Sequence, residues 1–303
     1  METFLSQYRK ADKRLNYGTA GFRDNVDLPM EYVFARMGIF ASLRSRCCDS
    51  KCIGVMITAS HNPECDNGIK IVDVDGGMLT QSWEPLAEKL ANELCIEDFL
   101  WSLKQLEDEH CLVGDNEGKN INEIPAVVII GRDTRSHSAR LSECVIGGVH
   151  AYGGHVIDLG VVTTPQLHFI VQSTNSANNR NNDEKVVVDS GSFDVQSALD
   201  CYYETLSDGY IQLLSTLKQE VIRDNVIIDA SFGVGTEAVT HLVSVVNRKW
   251  KEYRGEEGEV SQLSIDVRNC AGAGPVNEGC GAEYVQKGQV PPRGVDAVRD
   301  KVR

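Results

Sequence analysis

The chain has 303 residues, 42% of them hydrophobic and 24% charged, with a formal net charge of -14 at pH 7. That length supports two domains with ordinary cores, and the composition is that of a globular chain in water. The acidic balance excludes a general binder of nucleic acid or anionic membrane, which needs a positive field. It leaves a phosphorylated small molecule open, because a few basic side chains in a cleft outweigh a remote acidic surface.

Met1 to Arg14 lacks the apolar core of a signal peptide, and no apolar run is long enough to span a bilayer. The ten cysteines are scattered and form no CxxC pair. Free thiols in a cytoplasmic chain, without a structural zinc, are therefore expected.

Strand-like and helix-like segments alternate along the chain. Glu31 to Arg46 carries Val33, Phe34, Met37, Phe40, Ala41 and Leu43 at a helical period. Cys52 to Ile57 reads as a buried strand and Trp83 to Leu94 as an amphipathic helix. Ala126 to Ile130 has the composition of a strand buried on both faces, Ser138 to Tyr152 that of a helix, and His155 to Leu159 that of the next strand.

Two polar stretches interrupt the rhythm. Glu107 to Glu123 reads as an acidic surface excursion, and Ser173 to Glu184, with its Asn-Asn-Arg-Asn-Asn run, as a flexible linker. Beyond it come a helix over Val195 to Leu217, a strand over Val226 to Ile228, a helix over Val234 to Val246 and a strand over Leu263 to Val267. The reading is an α/β chain of two consecutive α/β domains with mixed, mainly parallel sheets, over residues 1–172 and 186–303 with a linker at 173–185.

The most informative segment is Thr58-Ala59-Ser60-His61-Asn62-Pro63, followed by Asp66-Asn67-Gly68-Ile69-Lys70. Asn62-Pro63 stops regular structure and Asn67-Gly68 is read as a second turn, with Lys70 beginning the strand that leaves the loop. A serine hydroxyl is thus presented at a strand end, with an imidazole beside it and an ammonium group a short way on. That layout suits a hydroxyl that carries a phosphoryl group; a plain Ser/Asn/Pro turn is the alternative.

Upstream, Tyr17-Gly18-Thr19-Ala20-Gly21-Phe22-Arg23 offers close backbone approach to an anion and a guanidinium that forks onto phosphate. Gly131-Arg132-Asp133-Thr134-Arg135-Ser136 sits at a strand-to-helix turn. Arg132 and Arg135 either bind phosphate there or cap the helix and pair with Asp133. Thr163 to His168 reads as a helix start, with Pro165 in the first turn. Gly233-Val234-Gly235 is read as a packing feature, Asp73-Val74-Asp75 as structural, and Asn277 to Tyr284 receives no role.

The serine loop, with the glycine-rich motif before it, resembles the α-D-phosphohexomutases, and its detail looks most like the branch acting on acetylglucosamine phosphates. The resemblance runs from about Tyr8 to about Val290. It implies phosphohexomutase domains I and II, with Ser60 phosphorylated in the active form. His61 and Lys70 would then serve proton transfer and stabilisation, and Arg23 would clamp phosphate. It further implies a Mg²⁺ bridging the Ser60 phosphate, a sugar 1,6-bisphosphate activator, and interconversion of N-acetylglucosamine 6-phosphate and 1-phosphate on the way to UDP-N-acetylglucosamine.

The family's Asp-Gly-Asp-Ala-Asp-Arg metal loop has no counterpart here, and Pro291 to Arg303 does not match. The expectation is a chain without domains III and IV, inactive alone and prone to associate through an exposed domain interface. A related hexose- or pentose-phosphate mutase and a non-catalytic fragment that binds a partner are the other readings. A Ser-His hydrolase is remote, because adjacent Ser60 and His61 do not readily form the needed hydrogen bond and no G-x-S-x-G elbow occurs.

Overall fold

The computed structural model describes residues 1–18, 21–113, 116–180, 193–216, 225–255 and 263–295. In chain order the elements are α1 (Glu2–Leu5), β1 (Phe22–Asn25), α2 (Glu31–Cys47), β2 (Ile53–Ile57), β3 (Asp66–Val72), α3 (Glu84–Asn92), α4 (Ile96–Leu106), β4 (Val127–Arg132) and α5 (Ser138–Ala151). There follow β5 (His155–Val161), α6 (Thr164–Arg180), α7 (Val195–Thr216), β6 (Asn225–Asp229), α8 (Gly235–Arg254), β7 (Ser264–Arg268) and α9 (Gly281–Gly288). A π-helical turn, Glu107–Cys111, extends α4. The chain divides into two units, Met1–Ser60 with Cys65–Phe193, and His61–Glu64 with Asp194–Arg303. No helix among the described residues is long and apolar enough to cross a membrane.

In the first unit the sheet order is β1-β3-β2-β4-β5. β2–β4 and β4–β5 pair in parallel, while β1–β3 and β3–β2 are antiparallel. β2, in the middle, is buried at every position, as its unbroken apolar run requires. Its side chains alternate between two layers. Ile53, Val55 and Ile57 join Ile69, Ile71, Val128 and Ile130 in the main apolar cluster with α2 and α5, whereas a side chain at Gly54 would meet Val171 of α6. The sheet is covered on both faces.

α2 is buried almost all round, Arg36 and Arg46 included. Arg36 has carbonyls for partners rather than a carboxylate. Its Nη1 donates to the oxygens of Leu90, Ala91 and Glu93 at 2.9 to 3.1 Å, at the carboxyl end of α3, where a cation meets orphan carbonyls and the negative helix end.

Four expectations are corrected. Asn67-Gly68 is no turn: both residues lie inside β3, and Lys70 is in the strand's middle rather than at its start. Pairing to strands on both sides overrides the local turn preference. The supposed linker is helical as far as Arg180, and residues 181–185 lie outside the described residues. Its polar composition misled because Asn175 is buried, accepting from Cys52 N at 2.9 Å and donating to the oxygens of Cys52 and Val74 at 2.9 and 2.8 Å.

The excursion after α4 is in part core. Glu107 is buried and accepts from Tyr152 Oη at 2.6 Å. Lastly, Cys47 and Cys111 form a disulfide across a sequence separation of 64, while the other eight cysteines are free. Spacing alone hides a pair that tertiary packing brings together.

Asp73, read as structural, forms a two-pronged ion pair. Arg44 Nε and Nη2 donate to its two carboxylate oxygens at 3.1 and 2.8 Å, and Thr80 Oγ1 donates at 2.6 Å. Burial pushes the Asp73 carboxyl up, but Arg44 and Thr80 outweigh it and hold it below the usual aspartate range. A carboxyl so depressed stabilises the fold above about pH 4 and loses that contribution as pH falls through its folded value. Arg44→Gln is therefore expected to cost about 3 kcal/mol at pH 7 and less at pH 3, below the ordinary aspartate value. Urea unfolding at the two pH values checks this; a difference that does not change with pH contradicts it.

In the second unit, β6 and β7 pair in parallel from Asn225↔Ser264 to Asp229↔Arg268. Ile211 and Leu214 of α7 pack with Val246 and Trp250 of α8. The loops after the two strands are tied by Asp229, which accepts from Ser231 N, Asn269 Nδ2 and Gly281 N at 2.7 to 3.0 Å.

Candidate active site

Because β2 and β4 run in parallel, their carboxyl ends open on one side of the sheet, the place where open α/β sheets bind ligands. β2 exits into Thr58, Ala59 and Ser60, and β4 into Asp133. The Asp133 N–H donates to Ile57 O at 3.0 Å and joins the two exits. Thr58 and Ala59 are buried; Ser60 is exposed.

Ser60 has φ 53°, in the left-handed region, which costs a residue with a side chain about 1–2 kcal/mol. Such a conformation persists only when its surroundings enforce it. The Ser60 N–H donates to Thr58 Oγ1 at 3.0 Å, and the Ser60 carbonyl accepts from Arg135 Nη2 at 3.3 Å.

The hydroxyl itself meets Lys70. From the middle of β3, opposite Met56, Lys70 sends its Nζ to donate to Ser60 Oγ at 3.0 Å. Burial lowers the Lys70 ammonium below the usual lysine range, the Arg23 guanidinium lowers it further, and Asp133 works in the opposite direction. Arg23 is exposed on β1, opposite Gly68 of β3. The Arg23 charge thus acts on the ammonium that meets Ser60, and a phosphoryl group at that serine would relieve the repulsion.

The glycine-rich turn before Arg23 is built for close approach. Gly18 and Gly21 exchange backbone hydrogen bonds at 2.9 and 3.3 Å. Gly21 has φ 81°, and a Cβ there would stand 2.1 Å from Ile69 O, so no other residue fits without moving β3. Thr19 and Ala20 lie outside the described residues.

The remaining predicted residues divide. Arg132 ends β4 in register with Ile57, half-buried, and among the described residues its side chain forms no hydrogen bond or ion pair. Arg135 is buried, ion-paired with Asp133 and bonded to the Ser60 carbonyl, which is the pairing alternative weighed from the sequence. His61 is exposed beside Ser60. Gly233 and Gly235 are not needed for packing: a Cβ at the first would meet Ala230 O at 3.5 Å, and at the second nothing within 4 Å. Sequence reasoning passed over Thr58 and saw Asp133 only as a pairing partner. Its one available signal was the hydroxyl two residues before the serine.

A Mg²⁺ needs several oxygen ligands, carboxylates among them. Asp133, at the base of the loop, already accepts from Thr58, Arg135 and Ser138. No cluster of three or more His, Cys, Asp or Glu among the described residues could hold a metal. These residues suit an anion and do not by themselves compose a Mg²⁺ site.

The chain is similar to known proteins over most of its length. The family described as phosphoglucomutase/phosphomannomutase, alpha/beta/alpha domain I, matches residues 40–94 and 114–180, leaving α4 and Cys111 in an unmatched stretch. Phosphoacetylglucosamine mutases from Oryza sativa subsp. japonica and Sus scrofa are each 36% identical, over 93% of this chain and 44% and 45% of their own lengths. The chain therefore spans a little under half of these curated relatives.

Among solved structures, an N-acetylglucosamine-phosphate mutase in its substrate complex aligns at TM-score 0.76 and 32% identity, covering 97% of this chain and 49% of that one. Aspergillus fumigatus N-acetylphosphoglucosamine mutase, in complex with GlcNAc-6P and magnesium, aligns at TM-score 0.75 and 30% identity, covering 97% and 48%. With the serine loop, its lysine and the sheet order in place, the chain belongs to the phosphohexomutase family.

Proposed function

We propose that this chain carries the phosphoryl-accepting part of a phosphoacetylglucosamine mutase, which interconverts N-acetylglucosamine 6-phosphate and N-acetylglucosamine 1-phosphate. The observation that carries the reading is the exposed Ser60 hydroxyl, held in a left-handed turn and hydrogen-bonded to the Lys70 ammonium at 3.0 Å, with the Arg23 charge close by.

Phosphoryl transfer asks chiefly for positioning and charge neutralisation. When Ser60 takes a phosphoryl group, its Oγ–P bond forms as a sugar O–P bond breaks, the serine proton passes to Lys70 as the neutral amine, and the sugar oxygen leaves as a hydroxyl with a proton taken from solvent. In the return step the sugar hydroxyl attacks phosphorus and gives its proton to solvent, the Oγ–P bond breaks, and Lys70 as ammonium protonates the departing Oγ along the hydrogen bond seen here. Its lowered proton affinity eases both directions. Arg23 and Arg132 neutralise phosphate, His61 assists proton transfer beside the serine, and Arg135 fixes the serine backbone.

Sugar choice rests on the relatives, phosphoacetylglucosamine mutases throughout those 33–36% identical. An Aspergillus fumigatus relative was solved with glucose 1,6-bisphosphate, and the one solved with magnesium supports Mg²⁺ as the family's ion. Mg²⁺ would supply charge neutralisation at the phosphoserine, and a sugar 1,6-bisphosphate would prime Ser60. The polypeptide is to be incubated with Mg²⁺ and either N-acetylglucosamine or glucose 1,6-bisphosphate, and phosphoryl uptake followed by intact mass. Uptake from both donors, faster from the acetylglucosamine compound and absent in Ser60→Ala, is expected. Equal uptake by Ser60→Ala contradicts the reading.

A further inference from the structure

The hydrogen bonds beneath Ser60 close into a ring whose direction one group sets. Asp133 is buried and, as a carboxylate, only accepts. Thr58 Oγ1 must therefore donate to it, at 2.7 Å, and Ser138 Oγ likewise, at 2.6 Å. Each hydroxyl has spent its one proton and turns lone pairs elsewhere: Thr58 toward the Ser60 N–H at 3.0 Å, and Ser138 toward Asn67 Nδ2 at 2.9 Å.

The circuit returns through β3. Asn67 Oδ1 accepts from Gly68 N at 2.8 Å, and Gly68 O accepts from Thr58 N at 2.9 Å. Asp133 also accepts from the Arg135 amide at 3.1 Å and pairs with the Arg135 guanidinium, which reaches on to the Ser60 carbonyl. Both backbone groups of a strained serine are thus held by side chains that one carboxylate orients.

We propose that Thr58 and Asp133 are positioning residues that lock Ser60 in its left-handed conformation and so deliver its hydroxyl to Lys70. This rests on Ser60 being the phosphoryl acceptor. A buried acceptor-only hub explains what an amide would undo: Asp133→Asn brings a donor to one oxygen position, reverses a hydroxyl, and frees the Ser60 N–H.

Removing Asp133 also strips Arg135 of its buried partner and risks the fold, so Thr58 is the cleaner test. Thr58→Val keeps the shape and removes the relay; Thr58→Ser keeps the relay. Two readouts on the whole polypeptide decide. The first is phosphoryl uptake from a sugar bisphosphate over a range of donor concentrations. Thr58→Val is expected to lower the maximal rate about 100-fold, the size of effect a displaced reacting atom gives, with half-saturation unchanged and Thr58→Ser near wild type.

The second readout needs no activity. Amide hydrogen exchange should find the Ser60 N–H protected in wild type and Thr58→Ser, and fast in Thr58→Val. If wild type shows no uptake, the acceptor reading fails and exchange alone judges the lock. If Thr58→Val takes up phosphate at the wild-type rate, or wild-type Ser60 N–H exchanges like a free turn amide, the positioning proposal is overturned.

Discussion

Lys70→Met is expected to slow phosphoryl uptake at Ser60 by about 100- to 10,000-fold, the range that a positioned proton-transfer group supplies. Lys70 Nζ is 3.0 Å from Ser60 Oγ, and its ammonium is held below the usual lysine range by burial and by Arg23. Methionine fills the same buried channel with an unbranched apolar chain, so the circular dichroism spectrum and melting temperature should stay close to wild type.

Lys70→Arg separates two roles. Arginine keeps the charge but does not give up its proton at working pH, so it restores activity only if Lys70 acts as a charge. Failure of arginine to restore uptake supports proton transfer. Uptake by Lys70→Met within a few-fold of wild type would remove Lys70 from the chemistry.

The second large effect concerns the fold. α2 and α5 touch backbone to backbone: a Cβ at Gly148 would stand 2.1 Å from Ala35 O, and one at Gly38 would stand 2.2 Å from Val145 O. Carbonyl oxygens in two helices cannot swing aside as side-chain tips do. Gly148→Val is accordingly expected to destabilise the first unit by about 3 kcal/mol or more, at or beyond the usual range for overpacking.

Gly209, in α7, gives the opposite sign. It is exposed, and a Cβ there would meet nothing within 4 Å. Gly209→Ala should stabilise that helix by up to about 1 kcal/mol. Urea unfolding of both variants checks the pair, and a Gly148→Val curve that overlays wild type would refute the close packing.

How far such features can be read in advance depends on where their cause lies. β2 and β4 were legible because burial on both faces leaves an unbroken apolar run. α4 carried its own signal, with Phe99, Leu103 and Leu106 on one buried stripe, although the sequence reading assigned no element there. β3 was not legible: Asn67 is fully buried in the strand, its side chain spent on Ser138 and on His137 of the turn before α5, and nothing in its neighbours along the chain announces that.

The candidate site divides in the same way. Ser60 and Lys70 are close in sequence, so a short motif exposes them. Arg135 and Asp133 reach the Ser60 loop from 75 residues away, by way of parallel pairing between β2 and β4. The Cys47–Cys111 bond, across a separation of 64, was hidden for that reason too.

The central claim is that Ser60 itself accepts the phosphoryl group, and peptide mapping tests it most directly. The polypeptide is charged with N-acetylglucosamine 1,6-bisphosphate and Mg²⁺, cleaved, and its phosphorylated residue located by tandem mass spectrometry. The prediction is one phosphoryl group, on the peptide containing Thr58 to Lys70, at Ser60. Phosphate on any other residue, or none on a polypeptide shown to be folded, would contradict it.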